Sequence, residues 1–447
     1  MTDKDSIEVQ LAQVKERVSE AITLAKKLGA DDAEVAMSRQ QGLSVNTRLG
    51  EVETVEFTND GALGITVYQG GRKGSASTAD LSQDALNKTV QAAVDIAKYT
   101  SVDDCSGLAD KARLAFDPEE LDLHHPKALS TEEAIEIAKT CEMSALESDK
   151  RVTNSDGATL ACFEGFKVYG NSHGQLVGYP SSRHSLSCVS IATDKDDMQR
   201  DYAYSVNRRF DALDSPEYIG KKAAREVVSR LHAEKIATAK VPVLFRADIA
   251  NTVFGHFIAA ISGGNLYRKS SFLLDALGQQ IFPDFLTIEE RPHIHQALAS
   301  SAFDSEGVAT IDRNIVTQGT LDSFLLTSYS ARKLGMETTG HAGGIHNWLV
   351  SANGGDFNDM LKRLGTGLLV TELMGQGVNV VNGDYSRGAA GFWVENGEIA
   401  FPVSEITIAG KLQDMFKGIV AVGNDTDMHG SIRTGSILID EIQVAGV

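Results

Sequence analysis

The segment Phe254-Gly255-His256-Phe257-Ile258-Ala259-Ala260-Ile261-Ser262-Gly263-Gly264 follows a predicted strand and looks prepared for metal chemistry. A helix-borne hydrolytic metal site places paired histidines and a glutamate on one helical face. Here His256 stands alone among glycine and alanine, whereas zinc needs three or four donors converging in a small volume. Asp248 lies a little over two turns upstream and shares that side only if the helix begins early. A core or interface histidine is therefore the expectation, not a ligand. Just beyond, Asn265, Tyr267, Arg268 and Lys269 offer amide, hydroxyl and cationic groups that suit a carboxylate or a peptide backbone. A salt bridge fixing the loop is an equal alternative.

His341 and His346 bracket Ala342-Gly343-Gly344-Ile345. Their spacing suits a turn better than a helix. The glycines would expose backbone amides and carbonyls able to grip an extended peptide, with a purely structural turn as the competing reading. His293 and His295 alternate with Ile294, but Pro292 assigns them to an edge or a loop. Gly-x-Ser-x-Gly elbows, Walker loops and Cys/His zinc spacings are absent from the sequence.

The elements that must carry these residues are legible in the periodicity. Ile7 to Leu28 has a helical apolar stripe and stops at Gly29. Strands are predicted at Ala33–Met37, Gly42–Thr47, Val52–Phe57 and Gly64–Tyr68, with Asn59-Asp60-Gly61 as a break, then a Gly70-Gly71 turn into Gly74–Thr78. Asp80 or Ser82 caps a helix through Ile96. Residues 100–130, with Pro118 and Pro126, are expected to wrap the surface. A helix from Thr131 to about Glu147, strands from Val152 to Ala192 and a helix from Pro216 to about Lys235 complete an N-terminal α+β domain, residues 1–236. The C-terminal domain, 237–447, opens with strand Ala239–Phe245 and a helix over Ile249–Ile261. Glycine-rich short strands follow, and their alternation predicts an all-antiparallel curved sheet. The rhythm of a doubly wound fold is missing, so the class is α+β.

With 447 residues the chain exceeds one compact core. Its 61 acidic residues against 42 basic ones give a charge of -19, which opposes direct nucleic-acid binding. Cys105, Cys141, Cys162 and Cys188 have no CxxC spacing and read as reduced thiols. Neither a signal region nor an apolar stretch of membrane-spanning length is present, so a cytoplasmic location without membrane attachment is expected.

Val243-Leu244-Phe245, the helix through Gly255-His256, and Gly264-Asn265-Leu266-Tyr267-Arg268-Lys269-Ser270 together resemble the PmbA (TldE) branch of the TldD/PmbA family. The resemblance extends to Tyr329-Ser330-Ala331-Arg332-Lys333-Leu334-Gly335 and Thr338-Thr339-Gly340-His341-Ala342-Gly343-Gly344. It is strongest in the run Asn382-Gly383-Asp384-Tyr385-Ser386-Arg387-Gly388-Ala389-Ala390-Gly391-Phe392-Trp393-Val394-Glu395-Asn396-Gly397. It implies an N-terminal α+β domain and a C-terminal domain dominated by antiparallel β-sheet. It also implies a cytoplasmic, zinc-dependent peptidase system acting on unfolded peptides, in peptide-antibiotic maturation and antitoxin degradation, with an older link to DNA gyrase. The TldD branch carries His-Glu-x-x-x-His before its own Arg-Lys pair. Counted back from Arg268-Lys269, those positions are Gly255, His256 and Ala260, and the branch's further cysteine ligand has no counterpart here, because every cysteine precedes residue 189.

Three functions compete on this basis. The first is a subunit without catalysis of its own, holding no cofactor, that pairs with a zinc-bearing TldD-like subunit and forms a homodimer when that partner is absent. Asn265, Arg268, Lys269, His341 and His346 are its candidate peptide-groove or interface residues. The second is a zinc-dependent metalloprotease in its own right, with ligands drawn from His256, His341, His346 or His429. The third is a regulatory binding module.

Overall fold

The computed structural model describes residues 7–446. Helix α1 (Ile7–Lys27) buries Ile7, Val14, Val18, Ala21 and Ala25 and ends where Gly29 turns to φ +98°. Strands β1 (Asp32–Arg48), β2 (Glu51–Gln69) and β3 (Arg72–Thr78) form a meander, followed by α2 (Gln83–Tyr99). Ser82 is the α2 cap, its hydroxyl accepting from the Ala85 amide, and Asp80 accepts from Ser82 in turn. Helix α3 (Thr131–Leu146) starts with a Ser130/Glu133 capping box, an arrangement worth about 1 kcal/mol. Strands β4 (Val152–Asn171), β5 (Leu176–Asp194) and β6 (Asp197–Asn207) and helix α4 (Pro216–Ser229) complete this half. The six strands make one antiparallel sheet, order β3-β2-β1-β4-β5-β6.

Three expectations for this half need correction. Asn59-Asp60-Gly61 is not a break, since Gln41, Gln40 and Arg39 pair with them in unbroken register. The reversal lies at Leu49-Gly50, both at positive φ. The interrupted alternation has a packing cause: Ala33, Val35 and Met37 face α1 and α2, whereas Leu43 and Val45 face α3, so one strand serves two cores. Helix α4 stops at Ser229, because Glu234 is drawn into a bridge with Val403. Residues 100–130 do not merely wrap the surface: Leu121 and Leu123 are buried with Tyr169, Val177 and Phe303 between the two halves.

The second half runs β7 (Ala239–Phe245), α5 (Ala247–Ile261), α6 (Gly263–Tyr267), β8 (Ile288–Glu290), β9 (Arg313–Thr317), β10 (Thr320–Leu321), α7 (Ser328–Leu334), β11 (Trp348–Val350), α8 (Phe357–Leu364), β12 (Gly367–Met374), β13 (Val378–Asn379), β14 (Asp384–Glu395), β15 (Glu398–Lys411), α9 (Leu412–Lys417), β16 (Ile419–Val422), β17 (Ile432–Arg433) and β18 (Ile437–Ala445). The path β12-β7-β18-β15-β14 closes on itself through β12–β14 pairing. Alternation sorts the two faces: Val243, Phe245, Leu368 and Val370 pack with α5, while Leu244 and Leu369 pack under α8. Pairing is dominated by antiparallel contacts but not exclusively so. The pairs β7–β12 and β11–β17 are parallel, which corrects the all-antiparallel expectation. Parallel neighbours need a long crossover, and α5 through α8 supply it between β7 and β12. Among the described residues no helix is long and apolar enough to cross a membrane.

Helix α7 ties the halves together. Arg332 donates to the carbonyls of Cys105, Gly107 and Leu108, while Tyr329 and Lys333 bind Asp103 at 2.7 and 2.9 Å.

Candidate functional site

Helix α5 is positioned at both ends. Arg246, at its N-terminus, bridges Glu226 of α4 and Asp248, each at 2.7 Å. Asp248 is thus engaged away from His256. Ala250, Val253, Phe254, Phe257, Ala260 and Ile261 are buried, and the Phe257 ring meets Phe282 at 5.0 Å and Trp348 at 6.0 Å. The other side of α5 presents Thr252, Gly255, His256 and Ala259, all partly exposed.

Gly255 and His256 therefore share the accessible side, while Ala260 is fully buried in the core. Even a histidine at 260 would have to displace core atoms before reaching a metal. The His256 ring stands edge-on to Tyr385 of β14, centroids 5.7 Å apart. Burial lowers its pKa, with the Arg387 charge acting in the same direction, so the imidazole is held neutral. Among the described residues no group of three His, Cys, Asp or Glu side chains is gathered where a metal ion would sit. Two of the three helix positions have no donor atom at all. The residues present do not fit a resident zinc ion.

Asn265 caps the end of α5 by donating to the Ala259 carbonyl at 2.8 Å. Arg268 lies over the Tyr267 ring at 5.2 Å and reaches the Tyr267 hydroxyl and Asn265 Oδ1 at 3.1 and 3.3 Å. Neither Arg268 nor Lys269 forms an ion pair among the described residues, so the loop-fixing salt bridge considered from sequence does not form. Lys269 is exposed, with φ +57°. Two cationic side chains without acidic partners are left facing outward beside α5.

His341 and His346 belong to a separate buried network centred on Glu290 of β8. The carboxylate meets His341 Nε2 at 2.8 Å, the His346 amide at 2.9 Å and Trp348 Nε1 at 3.1 Å. Burial pushes Glu290 up, but the His341 hydrogen bond and its companions outweigh this and hold the carboxyl below its ordinary value. Burial keeps His346 neutral. His346, with Ala342, Gly343 and Ile345, also lines a cleft of about 440 Å³ against Met37, Lys167 and Tyr179 of the N-terminal sheet. No hydrogen bond or ring contact joins this network to His256, Arg268 or Lys269 among the described residues.

His293 and His295 lie in a turn near Glu119, and His429 contacts Asp427 at 2.6 Å. Sequence reasoning missed Glu290, Tyr385 and Arg387. The last two stand two apart on one face of a strand, a signal visible in sequence only once the strand's buried partner is known.

A closed sheet with a donor-poor helix after its first strand, joined to a long-stranded α+β half, defines a class that the comparisons identify. Family models for the PmbA/TldA metallopeptidase domain 1, central domain and C-terminal domain match residues 33–97, 124–231 and 238–446. The chain belongs to the PmbA/TldD metallopeptidase family, in its PmbA branch. It is 57% identical to Metalloprotease PmbA of Escherichia coli O157:H7 and 56% identical to the Metalloprotease PmbA homolog of Haemophilus influenzae, each over 98% of both chains. Among solved structures, a Bacteroides thetaiotaomicron protein described as a modulator of DNA gyrase superposes with a TM-score of 0.91 at 28% identity, covering 97% of this chain and 99% of its own. TldE from Thermococcus kodakarensis shares the fold, with a TM-score of 0.84 at 21% identity over 96% of this chain and all of its own.

Proposed function

We propose that this chain is a subunit of a peptidase system that contributes peptide binding but not hydrolysis, and that it works beside a zinc-bearing TldD-like subunit. One observation carries the reading: on α5 the positions that would have to hold metal are Gly255, without a side chain, and Ala260, enclosed in the core. The substrates are unfolded peptides, in the processes that the family resemblance implies, antibiotic-peptide maturation and antitoxin degradation. Asn265, Arg268 and Lys269 form part of the peptide-facing surface, and the cleft beside His346 is a second place where an extended chain would lie. The working assembly is cytoplasmic, binds neither nucleic acid nor membrane, and is replaced by a homodimer when the partner is absent. Residues 1–236 and 237–447 act as its two domains, a division supported by the sheet of β1–β6 being made wholly from the first of them.

The test combines metal analysis with cleavage of an unfolded polypeptide by the purified chain, by the purified TldD-like protein, and by the two together. Cleavage is expected only where the TldD-like protein is present, with enhancement by this chain. Stoichiometric zinc and chelator-sensitive cleavage by this chain alone would overturn the reading in favour of an independent metalloprotease.

A further inference from the structure

Three polar atoms between α5 and β14 are buried and have no hydrogen-bond partner among the described residues: His256 Nε2, the Tyr385 hydroxyl and Arg387 Nε. They are close together. The His256 and Tyr385 rings are 5.7 Å apart, and Tyr385 and Arg387 stand at alternate positions on the same face of β14. Tyr385 is only 2% exposed. A buried polar group left unpaired forfeits its hydration with nothing in return, so three in one place call for an acceptor that the chain itself does not provide.

The chemistry of that acceptor follows from the donors. Arg387 Nε can only donate. The phenol donates when an oxygen lies opposite it, and neutral imidazole donates from Nε2 in one tautomer. One cation and two neutral donors balance a single negative charge spread over two oxygens; a dianion would remain half neutralised, and a metal cation would be repelled by the guanidinium. Open space lies beside His256, the first of these donors along the chain. A Cβ built on Gly255, next to His256, would meet nothing within 4 Å. Arg387 is partly exposed, with its Nη2 in only a long 3.4 Å contact to the Leu373 carbonyl, so it is free to adjust.

We propose that His256, Tyr385 and Arg387 form a carboxylate-binding site, entered beside Gly255, that holds an extended peptide by its C-terminal carboxylate or by an acidic side chain. The assignment of a peptide as the carrier rests on the function proposed above; the carboxylate chemistry does not.

The experiment follows the imidazole signals of the full-length protein, labelled at histidine and assigned through His256→Gln, during titration with sodium acetate and, as the neutral control, acetamide. A saturable shift of His256 with acetate only is expected. It should weaken at least tenfold in Arg387→Gln and several-fold in Tyr385→Phe. Gly255→Leu, which leaves all three donors in place and fills the entrance, should abolish it. No saturable shift, or an equal one with acetamide or in Arg387→Gln, overturns the site and leaves water as its occupant. Fluorescent unstructured peptides then separate the sources: loss of binding on C-terminal amidation identifies the terminal carboxylate, and loss on Glu→Gln exchange identifies the side chain. Acetate binding with no peptide binding keeps the carboxylate site and refutes the peptide carrier. Peptide binding without any acetate response does the opposite.

Discussion

At the scale of single residues, the molecule distinguishes polar groups that are satisfied from those left waiting. Glu290 is satisfied, and its network gives a stability prediction. Glu290→Gln can keep the Oε1 contacts to Trp348 and His346 while its amide turns toward His341, whose tautomer can switch to accept. A loss of about 1–3 kcal/mol at neutral pH is expected in urea unfolding. The sign with pH follows from the folded-state value lying below the ordinary one. The carboxylate's contribution is complete above the ordinary glutamate range and disappears as pH falls through the lowered value. The gap between wild type and variant should therefore close on acidification through that window, and a gap that widens there would contradict the assignment. Tyr385 is the opposite case. Tyr385→Phe removes an unpaired buried hydroxyl, so the apo protein should melt at the same temperature or higher, where a partnered tyrosine would lose stability. Ala260→His tests why the metal helix cannot simply be repaired. With the alanine enclosed, overpacking should cost about 1–3 kcal/mol, and calorimetry of the single variant measures it.

At the scale of elements, helix α5 and strand β14 show how glycine means different things by location. A Cβ at Gly255 enters open space, so Gly255→Ala should stabilise α5 by about 0.5–1 kcal/mol through propensity alone. A Cβ at Gly391 would collide with the backbone of Leu369 on the paired strand β12. Gly391→Ala should consequently destabilise the closed sheet, and comparing the two melting temperatures checks the contrast. The α5 span, its buried stripe and its glycine were all visible in the sequence, because a helix against a core leaves a period near 3.6. The β1–β2 hairpin was not read correctly. Its alternation fails at Arg39–Gln41, where the strand passes from the core under α1 and α2 to the core under α3, and local pattern cannot distinguish such a transition from a turn.

At the scale of the whole molecule, the join between the halves adds specific polar contacts to the apolar cluster around Leu121 and Leu123. Arg332 of α7 donates to the carbonyls of Cys105, Gly107 and Leu108 in the connector, so Arg332→Ala should expose residues 100–123 to protease before global unfolding begins. Limited proteolysis with mass analysis of the first cut checks this. The run Tyr329–Gly335, which helped identify the family, thus has a structural role in fastening the N-terminal connector. The formal charge of -19 makes a further prediction at this scale: mixing the chain with duplex DNA at physiological salt should give no measurable complex.

The sequence by itself determined the fold class, the five longer helices with alternative capping residues for two of them, the family, and the absence of donors at two of three metal positions. These are local properties, set by side-chain period, capping chemistry and residue identity. Only the tertiary structure decided what His256 faces. It placed Tyr385 and Arg387 beside that histidine from a strand more than a hundred residues away, and it kept His341 and His346 apart from His256 by building them around Glu290. The physical reason is that a site is made where elements from distant parts of the chain close on one another, and burial, partnering and charge there are properties of the closure and of no single segment.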